Sequence, residues 1–478
     1  MKTSSRVILS VLLIVLCAAP QSAPAPDIRH TLASISPDSL RGNLSFIASD
    51  LLEGRYTPSP GLDIAAEYIA AQFRKSGLEP AGDDGYFQTA HMLRAGPPPV
   101  GFTLRFTEGA RTMQVSGDQT TWVSSLPIDI SDVPVYKVHA LADLPKTGLE
   151  GKAVVVEEPD EGPHSLAKAA AALHPMLFLE PSQALEPPAQ RLIDPGEERA
   201  IWHDVPRLLV NDREAVELLN AARPGETGIS VSLHAAASPD DRVTVRNVAA
   251  LLRGSDPSLR AQYVLVTAHY DHIGRVAGRI NPGANDDGSG TVSVIEIARA
   301  LAAMPVHPKR SILFMLFFGE EEGSLGSRYY VWHPLEPLAA TIADLNLEQL
   351  GRTDSTSGPQ VSNATLTGFR YSSVSNTLQQ AGASTGILVY ETPDDADYFR
   401  RSDNLPFAER GIPAHTIVVA LDFPGYHNPD DTWQKIDYNN LAKVDRMIAL
   451  AAVRLADAPS APQWNRANPD VAAYLHGQ

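Results

Sequence analysis

Three clusters of metal-ligating residue types lie close together in this chain: Ala268-His269-Tyr270-Asp271-His272, Gly283-Ala284-Asn285-Asp286-Asp287-Gly288-Ser289-Gly290 and Gly319-Glu320-Glu321-Glu322-Gly323. Hydrolytic metal sites are built from neutral imidazoles and carboxylates, with one coordination position left to water. His269 supplies such an imidazole, and Asp271, two residues on, is placed to accept its other ring N–H and fix the tautomer. Asp286 sits between Gly283 and Gly288, where small residues let the backbone approach a cation. Glu320 and Glu321 follow an apolar run, and carboxylates buried there need a cation or strong hydrogen bonds.

Downstream, Glu348 stands in Asn346-Leu347-Glu348-Gln349-Leu350-Gly351-Arg352, and His427 in Gly425-Tyr426-His427-Asn428-Pro429-Asp430-Asp431-Thr432. Taken singly, each group has a bland reading: a histidine satisfied by turn backbone, a Gly/Asn/Asp turn, a solvated acidic loop. Together His269, Asp286, Glu321, Glu348 and His427 supply nitrogens and carboxylates enough for two zinc ions.

The elements that would position them are legible from periodicity. Tyr263-Val264-Leu265-Val266-Thr267 precedes the first cluster and Ile312-Leu313-Phe314-Met315-Leu316-Phe317-Phe318 the third, and both read as buried strands. Gly288-Ser289-Gly290 opens a helix over 290–304, with Val292, Ile295, Ile297, Ala298 and Leu301 on its apolar face. Residues 341–347 and 415–420 read as further strands, 61–76 and 438–455 as helices. The alternation predicts an α/β fold, a mostly parallel central sheet flanked by helices, with the site beyond the carboxyl ends of the strands. Between Pro97 and Asp241 short β-like runs separated by Pro and Gly predict an inserted β-rich domain. The expected organisation is a signal peptide at 1–25, a discontinuous main domain at 27–95 and 243–458, an insert at 96–242 and a C-terminal tail at 459–478.

A chain of 478 residues with 44% hydrophobic and 20% charged residues is long enough for more than one core. Its formal charge of −17 disfavours nucleic acid and anionic membrane surfaces as partners. Lys2 and Arg6, the apolar run from Val7 to Leu16 and the Ala/Pro-rich stretch to Pro26 have the layout of a secretory signal. The run is too short to span a bilayer, and no later segment is apolar for long enough, so no transmembrane segment is expected. Cys17 is the one cysteine; Leu16 before it disfavours lipid anchoring there, and its loss with the signal would leave no disulfide and no thiolate ligand. The expected location is periplasmic or extracellular. The sequence sets no oligomeric state.

In order and spacing, His269-x-Asp271, Gly283-x-x-Asp286, Glu320-Glu321-x-Gly323, Glu348 and His427 followed by Asp431-Thr432 resemble the co-catalytic zinc exopeptidases. That family includes secreted bacterial aminopeptidases, glutamate carboxypeptidase and, as a single-zinc relative, glutaminyl cyclase. The resemblance covers residues 30–95 and 243–455. It implies that Asp286 bridges two zinc ions, that His269 and Glu348 complete one, and that Glu321 and His427 complete the other. It implies Glu320 as general base for a metal-bridging hydroxide, Tyr426 as either a donor to the oxyanion or a packing residue beside His427, and Asp271, Asp287 and Asp431 as supporting acids. Asp271 and Asp431 would orient His269 and His427, and relatives often carry a cis peptide just before the position of Asp287. Many relatives have Asp where this chain has Glu348, and the longer side chain still reaches a metal.

The resemblance implies a secreted zinc-dependent aminopeptidase acting on peptides. A carboxypeptidase or dipeptidase, a glutaminyl cyclase using only Asp286, Glu321 and His427, and a non-catalytic receptor on the same fold are the alternatives. More weakly, Gly151-Lys152-Ala153-Val154-Val155-Val156 and Val205-Pro206-Arg207-Leu208-Leu209-Val210 resemble a protease-associated domain, which implies an insert that covers or restricts the site without supplying ligands.

Overall fold

The computed structural model describes residues 28–124, 126–157, 165–182, 191–237, 241–356, 358–393 and 395–475. The expected signal peptide and Cys17 lie outside these residues.

The strands read as buried apolar runs form the centre of a ten-stranded sheet. Ser311–Phe317, Tyr263–His269, Thr341–Leu347 and Ala414–Val418 lie side by side in that order, all parallel. Every residue of the four is buried, which explains the continuous hydrophobicity of Tyr263–His269 and Ser311–Phe317. Alternate side chains enter different cores: Val264 and Val266 pack with helices Pro60–Lys75, Gly290–Ala302 and Tyr438–Asp457, while Leu265, Leu313 and Met315 pack with Tyr330, Phe407 and Trp464. The sheet is thus covered by helices on both faces. Outside the parallel centre it is mixed: Arg242–Leu252 pairs antiparallel with both Ser311–Phe317 and Phe87–Ala95, and Asn363–Leu366 antiparallel with Ala414–Val418.

Local signals set the helix ends. Ser59 Oγ accepts the N–H of Leu62 at 3.1 Å, Pro60 takes the first position of Pro60–Lys75, and Gly77 leaves it at φ 76°. Asp437 caps Tyr438–Asp457 through the N–H of Asn440 at 3.0 Å.

A second sheet of eight strands is drawn from residues 103–235 and has its own apolar clusters. Helices Ser165–Ala171, Pro195–Trp202 and Arg213–Ala221 lie within the same stretch. One strand there, Arg191–Ile193, leaves it and pairs with Phe87–Ala95 in the first sheet. That excursion lays helix Pro195–Trp202 against helix Leu325–Trp332. Glu197 receives Arg328 at 2.6 Å and Trp332 Nε1 at 3.1 Å, and Asp194 meets His333 Nε2 at 2.8 Å. Among the described residues, no helix is long and apolar enough to cross a membrane.

Candidate metal centre

Strand Tyr263–His269 carries His269 to its carboxyl end, and the chain then turns over the end of Ser311–Phe317, with Tyr270 N–H donating to Phe317 O at 2.9 Å. Asp271, fully buried, places one carboxylate oxygen 3.4 Å from His269 Nδ1 and accepts the N–H of Glu320 on the same oxygen at 3.1 Å. One side chain therefore aligns the first cluster with the third.

The Asp286 loop is fixed from several directions. Gly283 has φ 56°, and a Cβ there would lie 2.4 Å from Asp286 O and 2.5 Å from the His272 ring, so only glycine fits. The Asp286–Asp287 peptide is cis. Asp287 accepts the N–H groups of Gly290 and Gln349, tying the loop to the start of its helix and to the residue after Glu348. Asp431 accepts from the N–H groups of Asn285 at 2.9 Å and Asp286 at 3.1 Å. Its carboxylate thus holds the loop backbone instead of orienting His427, the role implied by resemblance. Beneath the loop, fully buried Arg55 donates to the carbonyls of Ile47, Tyr270, Pro282 and Gly283.

Around Asp286 two ligand groups converge. His269 Nε2 lies 3.6 Å from Asp286 Oδ1 and 3.9 Å from Glu348 Oε1. His427 Nε2 lies 3.1 Å from Asp286 Oδ2 and 3.2 Å from Glu321 Oε2. The ligand atoms of His269, Asp286 and Glu348, and those of His272, Asp286, Glu321 and His427, each fall within 4.8 Å of one another. Glu320 Oε2 sits 4.0 Å from His269 Nε2. His272 is the addition that motif reading passed over: buried, it faces Glu321 Oε1 through Nδ1 at 2.7 Å. Its signal was its place directly after His269-x-Asp271. Arg55 had no comparable signal.

This donor set fits divalent cations. Nε2 of His269, which faces Asp286 and Glu348, is buried without a hydrogen-bond partner, which is costly unless a cation takes its lone pair. The electrostatics agree. Burial pushes the Glu320 carboxyl well above the usual range, and Glu348 up to about 7. Burial acts in the same sense on Asp286 and Glu321, but the imidazoles around them win and hold both below it. For His269 and His427 burial favours the neutral ring, yet the adjoining carboxylates outweigh it and raise both. Protons on the imidazoles thus balance charge where cations would, and a metal must displace them.

Glu320 and Glu321 open onto a cavity of about 570 Å³ whose wall includes Lys168, Glu197 and Ile201 from the second-sheet stretch. Tyr426 is 46% exposed, and its ring stacks on that of His427 with centroids 4.0 Å apart.

The model of peptidase family M28 matches residues 247–452, the stretch that carries every ligand-type side chain above. The chain is 30% identical over 206 residues to aminopeptidase YwaD of Bacillus subtilis, a match covering 42% of each chain. It is 29% identical over 214 residues to a probable leucine aminopeptidase of Trichophyton verrucosum, covering 43% of this chain and 58% of that one. The chain thus spans about half the length of these relatives. The solved aminopeptidase of Aneurinibacillus sp. strain AM-1 has the same fold, with a TM-score of 0.54 at 20% identity over 90% of this chain and 97% of that one. The matched segment holds the parallel centre of the helix-flanked sheet and excludes the second sheet, together with strand Phe87–Ala95 and helix Pro60–Lys75.

Proposed function

We propose that this chain is an exported zinc-dependent aminopeptidase that removes N-terminal residues from peptides. The observation that carries the reading is Asp286, whose two carboxylate oxygens face different ligand groups, His269 with Glu348 and His427 with Glu321. A carboxylate shared in this way suits two cations, with Asp286, His269, Glu348, Glu321 and His427 as ligands and His272 supporting Glu321. The aminopeptidase names of the Bacillus and Trichophyton relatives favour the amino-terminal direction, and the N-terminal layout of Lys2, Arg6 and the following apolar run favours export.

Zinc bound here would polarise the scissile carbonyl and lower the pKa of water. Glu320 has no metal to hold in this arrangement. It borders both the ligands and the cavity, and burial raises its proton affinity, as a general base requires. It takes the proton from the attacking water and returns it to the leaving amine. Asp271 holds Glu320 by its backbone N–H and so fixes the height of that carboxylate above the ligands. Tyr426, beside His427 and partly open to solvent, donates its phenol O–H to the tetrahedral oxyanion. The stretch 96–242, protease-associated in character, restricts entry from above through helix Pro195–Trp202.

The test is a panel of free, N-blocked and C-blocked peptides assayed with and without chelator, with zinc content measured in parallel. Release of N-terminal residues only from peptides with a free amine, lost on chelation and restored by zinc at two ions per chain, is expected. Turnover of N-blocked peptides, or insensitivity to chelation, would refute the reading.

A further inference from the structure

The cavity beside Glu320 and Glu321 has a cationic wall that the peptidase reading leaves unused. In a chain of net charge −17, this wall brings together Lys168, Arg328, Arg400, Arg401 and Arg410. Two acidic side chains, Glu197 and Glu409, share it. Glu197 is committed to Arg328 and Trp332, which leaves the remaining cations in excess.

Three of these guanidiniums are held by aromatic groups. Arg410 lies over the Trp332 ring at 4.1 Å, Arg401 over Tyr398 at 4.8 Å, and Arg400 reaches Tyr474 Oη at 3.5 Å. An aromatic support restrains a guanidinium without neutralising it. Burial pulls the Arg410 pKa down, so its charge is partly stripped of water and an incoming anion there meets less screening. Arg400 and Arg401 immediately precede Ser402-Asp403, the segment running along the wall into helix Asn404–Ala408.

We propose that Arg400, Arg401 and Arg410 form a carboxylate subsite, so that the preferred substrates are short peptides whose C-terminal or acidic side-chain carboxylate reaches this wall. The planar fork of arginine matches a carboxylate with paired N–H···O bonds. The cavity volume of about 570 Å³ suits a ligand of small-molecule size, which here means a peptide of few residues. In a long peptide the terminal carboxylate lies far beyond the wall, and only an acidic side chain supplies the same chemistry. The substrate class rests on the aminopeptidase reading; the subsite itself does not.

The experiment separates the two. Zinc-loaded protein carrying Glu320→Gln is titrated calorimetrically with Leu-Gly-Gly and its C-terminal amide, and with Leu-Asp-amide and Leu-Asn-amide. Each pair differs by one carboxylate. A charge-assisted, bidentate contact is expected to give about tenfold tighter binding to the acid in at least one pair. The first pair reports a C-terminal carboxylate, the second a side chain. Adding Arg401→Ala, at an exposed position, or Arg400→Lys should shrink that ratio. Acid and amide binding within twofold in both pairs overturns the proposal, as does an unchanged ratio in both arginine variants. Turnover of the same peptides by the unsubstituted enzyme reports on the peptidase reading alone: no hydrolysis with the binding preference intact would refute that reading and leave the subsite standing.

Discussion

His272 and Glu321 face each other at 2.7 Å, Nδ1 to Oε1, inside the ligand group that also contains Asp286 and His427. With one oxygen of Glu321 committed to His272, the other is directed at His427 Nε2, 3.2 Å away. A partner of this kind orients a ligating carboxylate, and its loss generally weakens metal binding by about 10–100-fold. His272→Ala is therefore expected to lower zinc affinity by that order, read by competition with a chromophoric chelator. Wild-type affinity in the variant would remove His272 from the site.

Glu320→Gln keeps shape and loses the base. Zinc content measured by elemental analysis should be unchanged, while kcat falls about 10²–10⁴-fold. Loss of metal together with activity would instead make Glu320 a ligand.

Asp431 is buried and accepts the N–H groups of Asn285 and Asp286. Asp431→Ala leaves both unpaired, at a cost of roughly 3 kcal/mol or more. Denaturant unfolding of metal-free protein should show this loss, since the effect needs no cation. Unchanged metal-free stability would mean that the loop holds its shape without Asp431.

His415 offers a pH dependence away from the metal ligands. Its Nδ1 faces Thr367 O at 2.9 Å and its Nε2 faces Ser372 Oγ at 2.6 Å, an arrangement that suits the neutral ring. Burial lowers its pKa to about 4. The unfolded chain takes up a proton near pH 6.5 while the folded one does not, so this contribution is complete above pH 6.5 and declines as pH falls toward 4. The slope is about 1.4 kcal/mol per pH unit within that window. Unfolding free energies from pH 4.5 to 6.5 should show it in the wild type and not in His415→Asn; equal slopes would contradict it.

Tyr263–His269 and Ser311–Phe317 were readable because each holds a nearly unbroken apolar run, while Thr341–Leu347 and Ala414–Val418 carry Asp344, Asn346, His415 and Thr416 among their apolar residues; His269, Asp286, Glu321, Glu348 and His427 were readable because each follows or flanks such a strand. The antiparallel flanks were not, since Phe87–Ala95 and Arg242–Leu252 alternate only in part and their pairing is a long-range choice. Asp431 illustrates a second limit: its position in the chain announced an acid near His427, but its partners are backbone N–H groups that carry no sequence signature. Arg55 is a third, because a side chain that binds only carbonyl oxygens selects its neighbours by the path of the chain and not by their identity.

The contact of helix Pro195–Trp202 with Leu325–Trp332 places the width of the entrance under the control of residues outside the M28 segment. Ile201 and Lys168 line the cavity. Under the aminopeptidase reading, peptide length and peptide chemistry are therefore set by different parts of the chain, and a change at Lys168, Glu197 or Ile201 is expected to retune which peptides are admitted while the proposed cleaving apparatus stays the same.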